Sequence, residues 1–194
     1  MVAPFRRLLG LMVLLLSLGV AVRALAEAMP VPVGLQAELM TKIVAYDGNL
    51  QARAGGKVRV RILTSGRDAA SLAVAAELTS ALAAMPTIAG LPHEETTVAY
   101  ADAPSLARAC TAEQVSIVYL TPGFSAEQMS AMTQALDGVS VMTVTAEPRL
   151  VPLGAVLGFD LVAGKPKLLV NLTQARRQHV ELSSNVLELM KVFK

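Results

Sequence analysis

The sequence predicts an α/β fold: a mixed, mainly parallel sheet with helices on both faces, and a C-terminal β-hairpin followed by two helices. Segments with helix and strand periodicity alternate along the chain, which is typical of strand–helix–strand units and parallel pairing. Residues 115–120 are almost wholly apolar, as a strand covered on both faces requires. Near the C-terminus, two apolar runs, 155–162 and 167–172, flank a turn with Gly164 and Pro166, which predicts the hairpin.

The first 26 residues have the three parts of a secretory signal peptide. Arg6 and Arg7 supply the positive start, residues 8–22 are nearly all apolar, and Ala-Leu-Ala at 24–26 is a small-residue cleavage site. The alternative, an uncleaved membrane anchor, is disfavoured because the apolar run is shorter than the ~20 residues that span a bilayer. We therefore expect cleavage after Ala26 and a single exported domain, residues 27–194.

The charge of the mature chain argues against non-specific nucleic-acid binding, and its cysteine content excludes a fold held by internal disulfides. Loss of Arg6, Arg7 and Arg23 leaves 14 basic and 15 acidic residues, so the mature protein lacks the basic excess that non-specific nucleic-acid binding needs. Cys110 is the only cysteine, so no internal disulfide forms and the core must hold the fold. We expect Cys110 to be a small buried apolar residue; an intermolecular disulfide or a free thiol is the alternative.

The first part of the mature chain favours a helix and then a strand. Residues 33–47 carry one apolar stripe, and Gly48 suits a left-handed helix end, with a loop at 52–56. The stripe consists of Leu35, Leu39, Ile43 and Tyr46, widened by Met40 and Val44. Residues 57–63 alternate between apolar and basic, which predicts a strand with one solvated face. We expect its cations, Lys57, Arg59 and Arg61, to protect a solvated edge; ligand binding is the alternative.

Helix-start signals mark the middle of the chain. Asp68 should cap a helix whose buried face carries Val74, Leu78 and Leu82, followed by a strand at 95–101 and a short helix that begins at Pro104. The strongest signal is a capping box of Ser125 and Gln128, in which Phe124 can pack on Met129 as a hydrophobic staple. That helix turns Met129, Met132 and Leu136 inward and precedes a strand at 139–144.

Two helices are predicted after the hairpin. Thr173 is the expected N-cap of a short helix at 174–179, and Asn171 is expected to be buried with its amide bonded to backbone groups. A second helix should begin at Ser184 or Asn185. Its apolar residues follow the i, i+3, i+4, i+7 spacing of one buried helix face: Val186, Leu189, Met190 and Phe193.

No catalytic, cofactor-binding or metal-binding constellation is recognisable. His93 and His179 lack partners at ligand spacing, and Cys110 lacks a nearby candidate base. Two loops, 64–67 and 121–124, follow strands at positions where open α/β sheets bind ligands, but we read both as ordinary connections. The chain is therefore not expected to be an enzyme.

The C-terminal sequence resembles the YfiR family. Members end with a strand running into an asparagine, an alanine–arginine helix, and a serine pair before a leucine-rich helix. Here the corresponding residues are Asn171-Leu172, Ala175-Arg176 and Leu182-Ser183-Ser184, with Leu187 and Leu189. The first helix, with Lys42-Ile43 and Tyr46, also resembles that family's opening helix.

The resemblance implies a periplasmic regulator that binds a membrane-bound diguanylate cyclase or other sensor protein and holds it inactive, without a cofactor. It also implies control by an outer-membrane lipoprotein and a homodimer. The family-motif residues, structural or at the interface, are Lys42, Tyr46, Asn171, Arg176, Ser183 and Ser184. The chain departs from the family at Leu169-Val170, where members carry an aromatic residue and an acid. It also lacks their paired cysteines, which excludes redox control through internal disulfides.

Two hypotheses follow. The first is a non-enzymatic regulator that inhibits a membrane signalling protein by direct contact, through an exposed apolar patch on the first or the C-terminal helix. The alternative is a periplasmic small-ligand binding domain of the half-binding-protein type, with its site at loops 64–67 and 121–124. A deep polar pocket there would favour the second.

Overall fold

The computed structural model describes residues 29–194, so the predicted signal peptide and cleavage site lie outside the described residues. The helices are α1 (Val33–Val44), α2 (Leu50–Ala54), α3 (Ala69–Ala83), α4 (Ala103–Ala112), α5 (Ala126–Ala135), α6 (Leu172–Arg177) and α7 (Ser184–Leu187). The strands are β1 (Val58–Thr64), β2 (His93–Ala99), β3 (Ile117–Leu120), β4 (Met142–Thr145), β5 (Leu157–Val162), β6 (Lys165–Asn171) and β7 (Met190–Phe193). A short 3-10 helix, Pro148–Leu150, lies between β4 and β5.

The seven strands form one mixed sheet in the order β2-β1-β3-β4-β5-β6-β7. Neighbouring strands are parallel except β5 and β6, which form the predicted antiparallel hairpin. The chain moves outward from β1 to β2 and then returns to the other side of β1 for β3. This reversal creates a topological switch point between β1 and β3.

Helices cover both faces of the sheet, and each face has its own core. Alternate residues of β3 divide between the cores: Ile117 and Tyr119 pack with α1 and α3, whereas Val118 and Leu120 pack with α4 and α5. All four β3 side chains are buried, which confirms the predicted central strand. Across residues 29–194, no helix has the length and apolar composition needed to cross a bilayer.

Two helix starts predicted from local sequence are confirmed. Asp68 caps α3, its Oδ2 accepting from Ser71 N at 2.8 Å. Ser125 and Gln128 form the reciprocal capping box of α5, with bonds of 3.2 and 2.9 Å. Phe124 and Met129 are buried in the same core, as the staple requires. These signals succeed because each depends on residues only three to five positions apart.

The predicted apolar stripe of the first helix is confirmed only in part, and Leu35 and Leu39 are half-buried against the core. Of the four stripe residues only Ile43 is buried, together with Met40 and Val44, whereas Tyr46 lies beyond the helix and is 54% exposed. Gln36 turns inward instead, because its Oε1 accepts from the buried hydroxyl of Tyr119 at 2.7 Å. Gly48 does not adopt a left-handed conformation, and most of the loop predicted at 52–56 belongs to α2.

The basic strand β1 is not at an edge of the sheet. It lies between β2 and β3, so the predicted solvated edge is wrong. Lys57 and Arg59 pair with Glu94 of β2 at 2.8 and 3.1 Å, while buried Arg61 pairs with Glu113. Acidic residues far away in sequence supply these counter-charges, and strand periodicity alone does not reveal them.

The C-terminal segment differs from the prediction in three ways. The turn between β5 and β6 has only two residues, Ala163 and Gly164, both with positive φ, as type I′ hairpins require. The first helix is capped by Asn171 rather than Thr173. The second helix is the single turn α7, after which the chain becomes strand β7 and pairs in parallel with β6.

Candidate functional site

Exposed apolar side chains are concentrated at the C-terminal strands. Among the large apolar residues at the surface of the described chain, four lie on β5, on β7 or directly before β7. We call these four the C-terminal strand surface: Leu161 (43% exposed), Val162 (54%), Leu189 (65%) and Val192 (38%). Apolar side chains gathered at one end of a sheet are typical of a contact surface, whereas isolated ones are common on any protein.

The hairpin carries Leu161 and Val162 beyond the core. Leu157, Gly158 and Phe159 at the start of β5 are buried, whereas the last two residues of the strand are exposed. Successive strand residues point to opposite faces, so Leu161 and Val162 expose apolar groups on both faces of the hairpin. The tight turn extends the sheet past the core packing and thereby creates the surface.

Lysines surround the C-terminal strand surface. Lys165 and Lys167 lie on β6, and Lys191 lies on β7. Lys167 Nζ donates to the Leu189 carbonyl at 2.8 Å, and Lys191 Nζ lies 5.2 Å from the centre of the Phe193 ring. Within residues 29–194, none of these three lysines forms a salt bridge. The exposed apolar side chains thus lie among three lysines and two acidic residues, Asp160 opposite Lys167 and Glu188 beside Leu189.

Asn171 is a structural residue at the end of β6. Its side chain is buried, as predicted: Oδ1 accepts from Gln174 N at 2.9 Å and Nδ2 donates to the Val151 carbonyl at 2.9 Å. One amide therefore caps α6 and ties it to the segment before β5. This arrangement explains why an asparagine ends the strand.

Substitution of Asn171 by alanine should lower the free energy of unfolding by about 1–2 kcal/mol, because it removes a helix cap and one of the two donors to the Val151 carbonyl, which keeps its bond from Gly154 N at 3.1 Å. Thr173, which is exposed and caps nothing, is the matched control: Thr173→Ala should change stability by less than about 0.5 kcal/mol. Urea unfolding of both variants measures the difference. Equal losses would contradict the assignment of Asn171 as the cap.

Four other family-motif residues lie near the end of α1 and the start of α7. Ser183 N donates to the Tyr46 carbonyl at 3.2 Å, which brings Tyr46 beside Ser183 and Ser184. Lys42, one turn before Tyr46, is exposed, and its Nζ lies 4.0 Å from Oε2 of Glu38. We call Lys42, Tyr46, Ser183 and Ser184 the junction surface. Arg176, the remaining motif residue, is exposed on α6.

Buried Asp47 holds the junction surface together. Its Oδ1 accepts from Asn49 N at 3.1 Å and from Glu181 N at 2.9 Å, and its Oδ2 pairs with Arg53 Nη2. Arg53 has a side chain only 2% exposed, and burial lowers the pKa of its guanidinium, partly offset by Asp47. The sequence does not reveal this pair, because Arg53 lies in a stretch, 52–56, whose composition predicts a loop.

Cys110 and His93 both lie in structural positions. Cys110 is buried, and burial raises the pKa of its thiol to about 12, so the reactive thiolate is scarce at neutral pH. His93 bonds Glu95 and, at 2.9 Å, the Met85 carbonyl, and is thereby fixed at the start of β2. In residues 29–194, no three His, Cys, Asp or Glu side chains are grouped so as to hold a metal ion.

The two loops proposed as a ligand site are bonded to each other. Ser65 Oγ donates to the Pro122 carbonyl at 2.9 Å, and Ser71 Oγ lies 2.6 Å from Thr121 Oγ1. Gly123 packs so closely on Ser65 that a Cβ atom there would clash. These contacts fill the switch point between β1 and β3 with protein atoms. A cleft of about 540 Å³ lies instead at the opposite ends of the strands, lined partly by Asn49, Arg53 and His179.

Comparisons with known proteins agree with the sequence resemblance. Residues 34–191 match the model of the YfiR/HmsC-like family. No curated protein matches the chain in sequence.

Two solved structures share the fold. A conserved domain protein from Vibrio cholerae O1 biovar El Tor has a TM-score of 0.61 and 17% identity, over 84% of this chain and 60% of that chain. The ABC domain in complex with L-Trp from Streptococcus pneumoniae has a TM-score of 0.54 and 12% identity, over 78% of this chain and 60% of that chain. The chain thus spans about 60% of the length of both structures, and at these identities the likeness concerns the fold alone.

Proposed function

The chain belongs to the YfiR/HmsC-like family, and from this premise we propose that it inhibits an inner-membrane diguanylate cyclase, or another membrane sensor protein, by direct contact. The family is one of periplasmic regulators and is not catalytic. The proposal adds a mode of action: the folded domain binds the periplasmic part of its partner and holds the partner inactive.

The observation that carries the proposal is the C-terminal strand surface. It exposes Leu161, Val162, Leu189 and Val192 on a domain whose described residues hold no grouping of metal ligands. Exposed apolar side chains flanked by polar residues are typical of a protein–protein contact. The junction surface, with exposed Tyr46, is a second candidate contact because tyrosine is enriched among residues that contribute most to binding.

Inhibition requires that this protein bind the inactive conformation of its partner more tightly than the active one, since equal affinity for both would shift nothing. A hundredfold shift in the ratio of active to inactive partner requires a hundredfold difference in affinity, which corresponds to about 2.7 kcal/mol. A few buried apolar side chains are enough to supply a difference of that size.

Export and assembly are parts of the same proposal. A signal peptide at residues 1–26, cleaved after Ala26, would deliver the single domain 27–194 to the periplasm. Sequestration by an outer-membrane lipoprotein would release the cyclase, and a homodimer is the expected assembly. The mass of the exported protein tests cleavage, and light scattering tests the dimer.

Deletion of the gene tests the function. We expect cyclic di-GMP and surface attachment to rise, because an active cyclase loses its inhibitor, and expression of the full precursor should restore the low level. A precursor without residues 2–26 is the matched control: it supplies the same domain in the cytoplasm and should not complement. Unchanged cyclic di-GMP in the deletion strain would contradict the proposed role.

The small-ligand alternative makes a different prediction. A binding protein would retain or take up a small molecule, which native mass spectrometry of the exported protein detects as added mass. The bonded loops at the switch point argue against a site there. A stoichiometric small molecule on the purified protein, together with an unchanged cyclic di-GMP level after deletion, would favour the alternative.

A further inference from the structure

We propose that strand β7 is a docking edge that accepts an extended acidic segment of a partner protein as an eighth strand of the sheet. This inference rests on the proposed function and specifies one mode of contact for it. β7 is the last strand of the sheet and, within the described residues, pairs only with β6. An open edge of this kind presents unpaired backbone groups to an incoming strand.

The register shows which backbone groups of β7 are free. Asn171 N donates toward Val156 beside β5, so the alternation along β6 directs Leu168 and Val170 toward β7. Their partners in the parallel register are Met190 and Val192. In a parallel pair the partner residue turns its own N–H and C=O to the other side, so the backbone groups of Met190 and Val192 face outward.

The side chains of β7 define the pattern of the incoming strand. Met190 packs in the core on the α1 and α3 side of the sheet, and Val192, two residues on, lies on the same face and is exposed. Lys191 points to the opposite face. An eighth strand should therefore alternate apolar residues, which extend the core beside Val192, with residues that meet Lys191.

Charge identifies those residues as acidic. Residues 160–194 hold six of the 14 basic residues of the mature chain but only three of its 15 acidic residues. Lys191 and Lys194 form no salt bridge within residues 29–194. The opposite edge of the sheet, β2, carries Glu94 and Glu95, so the two edges differ in charge.

The same lysine disfavours a second copy of this chain as the occupant. Two copies that pair antiparallel through β7 around a twofold axis would place both Lys191 side chains on one face, opposite or diagonal to each other. Like charges in those positions are destabilising. An acidic strand of another protein instead brings carboxylates to Lys191 and leaves the apolar face continuous.

Amide hydrogen exchange of the full-length exported protein tests the proposal, with blocked six-residue peptides as probes. A peptide of alternating valine and glutamate at millimolar concentration should slow exchange at Met190 and Val192 at least tenfold and leave β2 unchanged. The valine–lysine counterpart and a block-ordered peptide of the same composition are the controls and should give less than a twofold change. Equal protection by all three peptides, or none by the acidic one, would overturn the proposal.

Variants separate edge pairing from general attraction. Val192→Pro removes an outward N–H without removing a bond to β6, and should abolish protection at Met190 while the melting temperature stays close to wild type. Lys191→Glu should reverse the preference to the lysine peptide, whereas Lys165→Glu on the hairpin should not. Lys191→Val tests whether Lys191 only protects the edge from self-association. If this variant self-associates and the acidic peptide gives no protection to the wild-type protein, the proposal is wrong.

Complementation keeps this inference distinct from the proposed function. If the deletion raises cyclic di-GMP and expression of Lys191→Glu in the deletion strain fails to lower it, both the regulatory function and the docking edge are supported. If Lys191→Glu and Val192→Pro complement fully, regulation remains but β7 is not the docking edge. Amides of Met190 and Val192 that are already protected without peptide would show that another part of the chain, or a second copy, covers the edge.

Discussion

Replacement of Asp47 by alanine is expected to lower the free energy of unfolding by about 3–5 kcal/mol. The carboxylate is the acceptor for Arg53, whose side chain is 2% exposed, and for two backbone N–H groups, of Asn49 and Glu181. Its loss would leave a buried cation and two donors unpaired, which is far more costly than the loss of an exposed ion pair. Urea unfolding followed by circular dichroism measures the loss.

A double variant shows whether the unpaired charge causes that loss. Asp47→Leu combined with Arg53→Met removes both charges and keeps apolar volume, so it should be more stable than Asp47→Ala by at least about 1 kcal/mol. The junction surface also depends on this pair, because Asp47 ties α1 to the segment before α7. A loss below about 1 kcal/mol for Asp47→Ala, or a double variant that is no better, would contradict this account.

The elements best predicted from sequence have local causes. The caps at Asp68 and Ser125 are correct because a cap depends on residues within one helical turn. The hairpin is correct because Gly164 and the flanking apolar runs specify it in a few residues. The mixed, mainly parallel sheet is confirmed because alternating strands and helices leave few other topologies.

The errors have long-range causes. In α1 the polar residue Gln36 is buried because Tyr119, 83 residues later, needs a partner for its hydroxyl. At the C-terminus, Val186 and Met190 are buried as the helical spacing suggests, but Met190 reaches the core from a strand. A short apolar run is compatible with a helix or a strand. Here the backbone groups of β6 that do not pair with β5 bond to residues 190–193, which therefore form a strand.

The sequence predicted an exposed apolar surface but not its location in the fold. An exposed apolar patch was expected on the first or the C-terminal helix, whereas the structure places apolar side chains on the hairpin and on β7. Exposure depends on where the core packing stops along β5, which the sequence of β5 does not encode. Adjacent apolar residues beside the turn, Leu161 and Val162, were the available signal, because they cannot both face one core.

Truncation of Phe159 to alanine should lower the free energy of unfolding by about 3–5 kcal/mol and disturb the C-terminal strand surface. Phe159 is fully buried and lies opposite Leu168 on β6, which in turn neighbours Met190 on β7. These three side chains form one row across the last three strands, so a cavity at Phe159 removes packing beneath all of them. Thermal unfolding measures the loss, and faster amide exchange in β6 and β7 reports where it acts.

Leu161→Ala is the matched control for Phe159→Ala, because Leu161 points to the same face two residues later but is exposed. We expect less than about 0.5 kcal/mol of destabilisation from Leu161→Ala, because truncation of an exposed side chain creates little buried cavity. If the C-terminal strand surface contacts the membrane partner, Leu161→Ala should nevertheless weaken repression of cyclic di-GMP synthesis. Loss of repression without loss of stability would separate contact from packing, whereas full repression by Leu161→Ala would exclude this side chain from the contact.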